Sequence, residues 1–246
     1  MRSTAMSPER LSVQPGHAPS ARMTSMVMSA SGERRWWSLA EFLVGAAIVI
    51  GHNVFHIVPN EVPLLFILGW ISIRLRDGGW RTIGLKRPDS WWRAVGWALA
   101  SAALIILLSD VVVGPFAEKF LGAQHASKDL DAAKPTLAWV LAMLGISWLF
   151  AAFGEEMGYR GYLMTRAADV GGRSKTAYVA ALVLVSVLFG IGHYYKGPAG
   201  VVASTVSGLV LGGAYLLSGR NLWVAILAHG FRDTFSLAAA LLGWTS

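Results

Sequence analysis

Glu155 and Glu156 stand side by side in Gly154-Glu155-Glu156-Met157-Gly158-Tyr159-Arg160, at the end of a long apolar run, with Arg160 four residues beyond the second acid. Charges are costly in such a setting. On insertion scales an ionisable residue inside a membrane span costs about 2.5 to 3.5 kcal/mol, so such residues face a bundle interior and carry function. If one helix runs from near Leu137 through this stretch, Glu156 and Arg160 share a face at i and i+4, acid first, the favourable order for a pair. Glu155 then points about a quarter turn away. The expected division is a structural, paired Glu156 and a Glu155 left for proton chemistry. A helix crossing into the headgroups would also place Glu and Arg here, but two later segments carry matching groups. Phe189-Gly190-Ile191-Gly192-His193 sets an aromatic and a histidine at i and i+4, and His229-Gly230-Phe231-Arg232-Asp233 sets a histidine and a carboxylate at the same spacing. Carboxylates and imidazoles on three helices are the groups that general acid–base hydrolysis uses.

The elements that must position them are membrane helices. Hydrophobic residues make up 54% of the chain and charged residues 14%, with a mean hydropathy of +0.51, whereas soluble domains carry about 25% charged residues. The fold expected is all-α, a polytopic membrane bundle of about seven transmembrane helices. The net charge of +7 could suit nucleic acid, but the basic residues lie between apolar spans and read as topology signals, so no nucleic-acid partner is expected. The absence of cysteine excludes disulfides, Cys-ligated zinc and thiol nucleophiles.

Residues 1–35, rich in Ser, Pro, Met and Arg, read as a disordered cytoplasmic tail rather than a signal peptide, because no apolar h-region precedes Trp36. Residues 36–246 read as the bundle. Spans are expected at 39–58, 62–73, 92–113, from 136 through the paired acids, 176–194, 200–217 and 222–242, each of the longer ones near the 20 residues that a bilayer core demands. Gly114-Pro115 is expected to close the third span, and 116–135 to form an exposed loop with a short amphipathic helix and a solvated His125. The sixth span is rich in Gly and Ser, which lets helices approach closely. Glu155 lies 16 residues before the turn at Gly171 and His193 22 after it, so an antiparallel pair brings them within about 9 Å in depth. His52 and His56 resemble a zinc-binding pair, but Asn53 stands where the metalloprotease pattern needs a Glu, so they read as a polar helix end. Lys and Arg concentrate in alternate connections, which places the N-terminus in the cytoplasm, here of a bacterial plasma membrane.

The series Glu155-Glu156-x-x-x-Arg160, Phe189-x-x-x-His193 and His229-x-x-x-Asp233 resembles the motifs of the CAAX-protease and bacteriocin-processing family of intramembrane proteases, over about residues 137–242. The third motif often ends in Asn in that family. Here it ends in Asp233, which cannot donate to an oxyanion when ionised and could instead accept from His229 and orient it. The resemblance implies peptide hydrolysis of a membrane-associated, prenylated or peptide substrate within the lipid bilayer. It implies Glu155 as base, His193 on the same water, His229 as electrophilic donor, and Glu156 with Arg160 bracing the helix. Family members have been called metalloproteases, and Glu155, His193 and His229 could also make a three-ligand zinc site. A ligating carboxylate cannot at once be the free base, and Glu156 is committed to Arg160, which favours the metal-free route. Two other classes stay open: a bacteriocin-immunity-type membrane binding protein without turnover, and a proton-coupled transporter, although no inverted repeat is visible.

Overall fold

The computed structural model describes residues 21–122 and 136–244, with side chains from residue 32 onward. Its described residues fold into an all-helical bundle of seven rods without strands: α1 Ala21–Asn53, α2 Glu61–Asp77, α3 Trp91–Leu121, α4 Leu137–Val170, α5 Lys175–Ile191, α6 Gly197–Leu217 and α7 Leu222–Leu242. Four of them (α3, α4, α7 and the rod that contains α6) are long and apolar enough to cross a membrane. The protein is an integral membrane protein.

Local chemistry sets where the rods begin. Asn60, Ser90, Thr136, Ser174 and Asn221 each accept a hydrogen bond from a backbone N–H two or three residues on. Such caps satisfy donors that a helix start leaves orphaned. Gly78, at φ +78, ends α2 in the left-handed conformation that favours glycine.

Helices α1, α3 and α5 depart from the sequence expectation. Helix α1 stops at Asn53 rather than continuing to residue 58, and it starts at Ala21, inside the segment expected as tail. Helix α3 runs through Gly114-Pro115 to Leu121 instead of stopping there. Pro115 falls in the first turn of a new α segment that follows a π-helical stretch, Ile106–Val113, so its missing N–H falls where a helix tolerates it best. Helix α5 ends at Ile191, which leaves His193 on the turn beyond it. His125 and most of the expected exposed loop lie outside the described residues.

The rods alternate in direction and the bundle has two distinct ends. At one, the middle of α1 meets the ends of α2 and α4, and their charged groups interlock. Arg166 is fully buried, with Nε 2.8 Å from Glu41, Nη2 2.6 Å from Asp77 and Nη1 2.7 Å from Asp169. Arg173, in the turn after α4, sits on Asp169 and Asp77. Burial works against its charge, but the two carboxylates outweigh that and raise its pKa. The same end is closed by Tyr215, whose hydroxyl donates to the Ile83 carbonyl at 2.7 Å, and by the Leu222 N–H, which donates to the Gly84 carbonyl at 3.0 Å. The core runs from there toward the paired acids through Leu65, Tyr162, Leu163, Met157 and Phe189.

Candidate active site

Glu155 and Glu156 lie where two π-helical stretches of α4 meet, Ser147–Glu155 and Met157–Leu163. Such widened turns recur at functional sites. Glu156 is fully buried, and its Oε1 accepts from Arg160 Nη1 at 2.8 Å and from His229 Nδ1 at 2.9 Å. Arg160, equally buried, donates through Nη2 to the Gly208 carbonyl at 3.1 Å. Gly208 also lets α6 pack closely on α5, since a Cβ there would lie 3.1 Å from the Ser186 backbone. The guanidinium stands 4.4 Å from the centroid of the Phe189 ring, an arrangement worth up to about 2 kcal/mol when desolvated. One carboxylate and its arginine thus touch all three sequence motifs.

His193 Nδ1 lies 2.9 Å from the Phe189 carbonyl. A carbonyl only accepts, so Nδ1 carries the proton and the neutral ring keeps an acceptor lone pair on Nε2. His229 is held the same way by Glu156, leaving its Nε2 for the cavity. Its distance from Asp233 Oδ2 is 3.7 Å, beyond hydrogen-bond range. The group that orients His229 is therefore Glu156. Asp233 instead accepts from the Ser147 hydroxyl at 2.5 Å and lies 3.5 Å from Arg232, which also reaches both oxygens of Asp110 at 3.1 and 3.2 Å. Next to Ser147, Trp148 packs its indole over Gly230, where a Cβ would come within 2.5 Å, and donates to Thr234 at 3.1 Å. These contacts dock α4 against α7 beside His229.

Glu155, His193, His229 and Asp233 line one cavity of about 240 Å³, together with Lys196 and Arg232. That is room for several waters at about 30 Å³ each. Glu155 Oε2 and Glu156 Oε2 are both buried without a hydrogen-bond partner, and of the two acids only Glu155 lines the cavity. Buried polar atoms are paired in the great majority of cases, and exceptions point to strain, catalysis or a missing small molecule.

Among the described residues no three His, Asp or Glu side chains are gathered closely enough to hold an ion, although Glu155, His193 and His229 share the cavity. His52 and His56 stand apart from it. His52 contacts Glu61 at 3.2 Å and the Val58 carbonyl at 3.0 Å, while His56 lies beyond the end of α1 at φ +55 and is exposed.

Four groups at the site were not singled out from the sequence: Asp110, Ser147, Lys196 and Arg232. Asp110 carried a usable signal, an ionisable residue within an apolar span. Ser147 and Lys196 carried none, because their neighbours in space are distant in the chain.

Residues 137–235 match the family model described as type II CAAX prenyl endopeptidase Rce1-like. No curated protein and no solved structure matches the chain.

Proposed function

We propose, from the premise that residues 137–235 of this integral membrane protein carry the core of the type II CAAX prenyl endopeptidase Rce1-like family, that Glu155 and His193 activate a water for peptide-bond hydrolysis. The match supports reading the chain as an intramembrane endopeptidase of the CAAX type. The assignment of roles is carried by one observation: of the two acids only Glu155 lines the cavity, where its Oε2 has no partner, whereas Glu156 stands outside the lining with its Oε1 held by both Arg160 and His229.

Glu155 accepts one water proton while His193 Nε2 accepts a hydrogen bond from the other. The water oxygen bonds to the carbonyl carbon, and protonated His229 donates through Nε2–H to the oxygen on which charge develops. The C–N bond then breaks as Glu155 returns the proton to the leaving amine. Asp233, an acceptor held by Ser147, takes no part as an oxyanion donor.

Glu155→Gln preserves shape and removes the base. With purified protein in proteoliposomes and a prenylated CAAX peptide followed by mass spectrometry, kcat is expected to fall at least about a hundredfold, with the melting temperature little changed. Cleavage that survives in Glu155→Gln and is lost in Glu156→Gln would show that the two acids have exchanged roles. Cleavage by neither variant nor wild type, alongside peptide binding, would make the protein a binding module.

The remaining rods α1, α2 and α5 complete seven crossings in this reading, with the N-terminus in the cytoplasm. The excess of Lys and Arg at the end where Arg34, Arg76, Arg173 and Arg220 meet supports that orientation. Alkaline phosphatase inserted at Asp89 is expected to be inactive, and the same enzyme fused after Ser246 active. Equal activity at both positions would break the seven-crossing arrangement.

A further inference from the structure

The catalytic cavity runs from the middle of the bundle toward one end. Its lining includes mid-bundle groups, Glu155 of α4 and His229 and Asp233 in the third and fourth turns of α7, and extends away from the arginine-rich end to Asp110 in the later half of α3, His193 just past the end of α5 and Lys196 just before α6. It reaches the surface at Tyr195, which is 63% exposed.

The arginine-rich end is closed against it. Arg166, Leu222 and Tyr215 are all buried. The loop from α2 to α3 is sewn over them by the Tyr215–Ile83 and Leu222–Gly84 hydrogen bonds, and a Cβ on Gly84 would lie 2.0 Å from the Arg220 carbonyl. The connection between α4 and α5 is pinned by Arg173 to Asp77 and Asp169. Among the described residues, the cavity lining includes none from these connections.

The two ends differ as much in charge as in access. Arg34, Arg74, Arg76, Arg81, Lys86, Arg87, Arg173 and Arg220 all belong to the closed end. Lys and Arg in short connections stay on the cytoplasmic side of a membrane. We infer that the cavity opens to the non-cytoplasmic face and that its substrate is a polypeptide segment displayed there, not one held in the cytoplasm. The substrate class rests on the protease reading above; the position of the opening does not.

The chain has no cysteine, so Tyr195→Cys and Asp89→Cys each carry a single thiol, the first at the cavity and the second exposed at the basic end. Intact cells treated with a membrane-impermeant maleimide are expected to show labelled Tyr195→Cys, with Asp89→Cys labelled only after permeabilisation. The reverse pattern, or labelling of both thiols from the same side, overturns the inference. A second arm separates it from the protease reading. A library of tagged segments is displayed on either face by a single-span carrier, and cleavage by wild type but not by Glu155→Gln is expected for outward segments alone. Cleavage confined to inward segments overturns the substrate class. Expected labelling with no cleavage on either face sinks the protease reading and the substrate class with it, and leaves the opening where the thiols place it.

Discussion

Arg160→Ala protein is expected to lose about 3 to 5 kcal/mol of stability together with its hydrolytic activity, the usual cost of breaking a buried pair by deleting one member. Arg160 and Glu156 are both fully buried, 2.8 Å apart. The deletion also strips the Gly208 carbonyl of its donor and the Phe189 ring of its cation. Glu156 would keep only His229, so the imidazole that offers Nε2 to the cavity would be drawn into compensating a bare carboxylate. Glu156→Gln combined with Arg160→Gln removes both charges and should return more folded protein than Arg160→Ala alone. It should stay impaired in kcat, because an amide holds His229 less firmly. Thermal unfolding in detergent and turnover per folded molecule separate the two effects. An Arg160→Ala protein as stable as wild type yet inactive would mean that Arg160 acts on the substrate directly.

The Glu156–Arg160 contact was legible in the sequence because both partners lie on one helix, where spacing alone decides who meets whom. The third member was not. His229 reaches Glu156 from 73 residues away, and the i, i+4 logic that paired it with Asp233 in sequence examines one helix at a time. The same limitation explains Asp233, which is taken by Ser147 across 86 residues. His193 shows a different blind spot. Its hydrogen bond to the Phe189 carbonyl mimics a helical i, i+4 contact, but α5 has already ended at Ile191. The order of the helices and the small-residue character of α6 were readable, since hydropathy and Gly content are local properties. The π-helical stretches, which set the phase of Glu155 and Glu156, leave no comparable mark on composition.

The arginine-rich end gives the contrasting case, a buried charge whose loss should spare the chemistry. Arg166→Met is expected to cost about 3 to 5 kcal/mol as well, because Arg166 is the central cation for Glu41, Asp77 and Asp169. Without it, Arg76 still holds Glu41, and Arg173 still spans Asp77 and Asp169, so three carboxylates share two guanidiniums in a part-buried network. One negative charge is left over. Adding Asp77→Asn to Arg166→Met removes that surplus and should recover part of the lost stability, an outcome that a purely steric role for Arg166 does not produce. Glu155 lies about 16 Å along α4 from Arg166, and the cavity lining includes no member of the ion network, so whatever Arg166→Met protein remains folded should hydrolyse peptide with a kcat within a few-fold of wild type. That is where it differs from Arg160→Ala. Equal loss of kcat per folded molecule in both variants would mean that the two ends are coupled and that the ion network does more than join α1, α2 and α4. An unchanged melting temperature in Arg166→Met would mean that the desolvation of four charged groups already cancels their attraction.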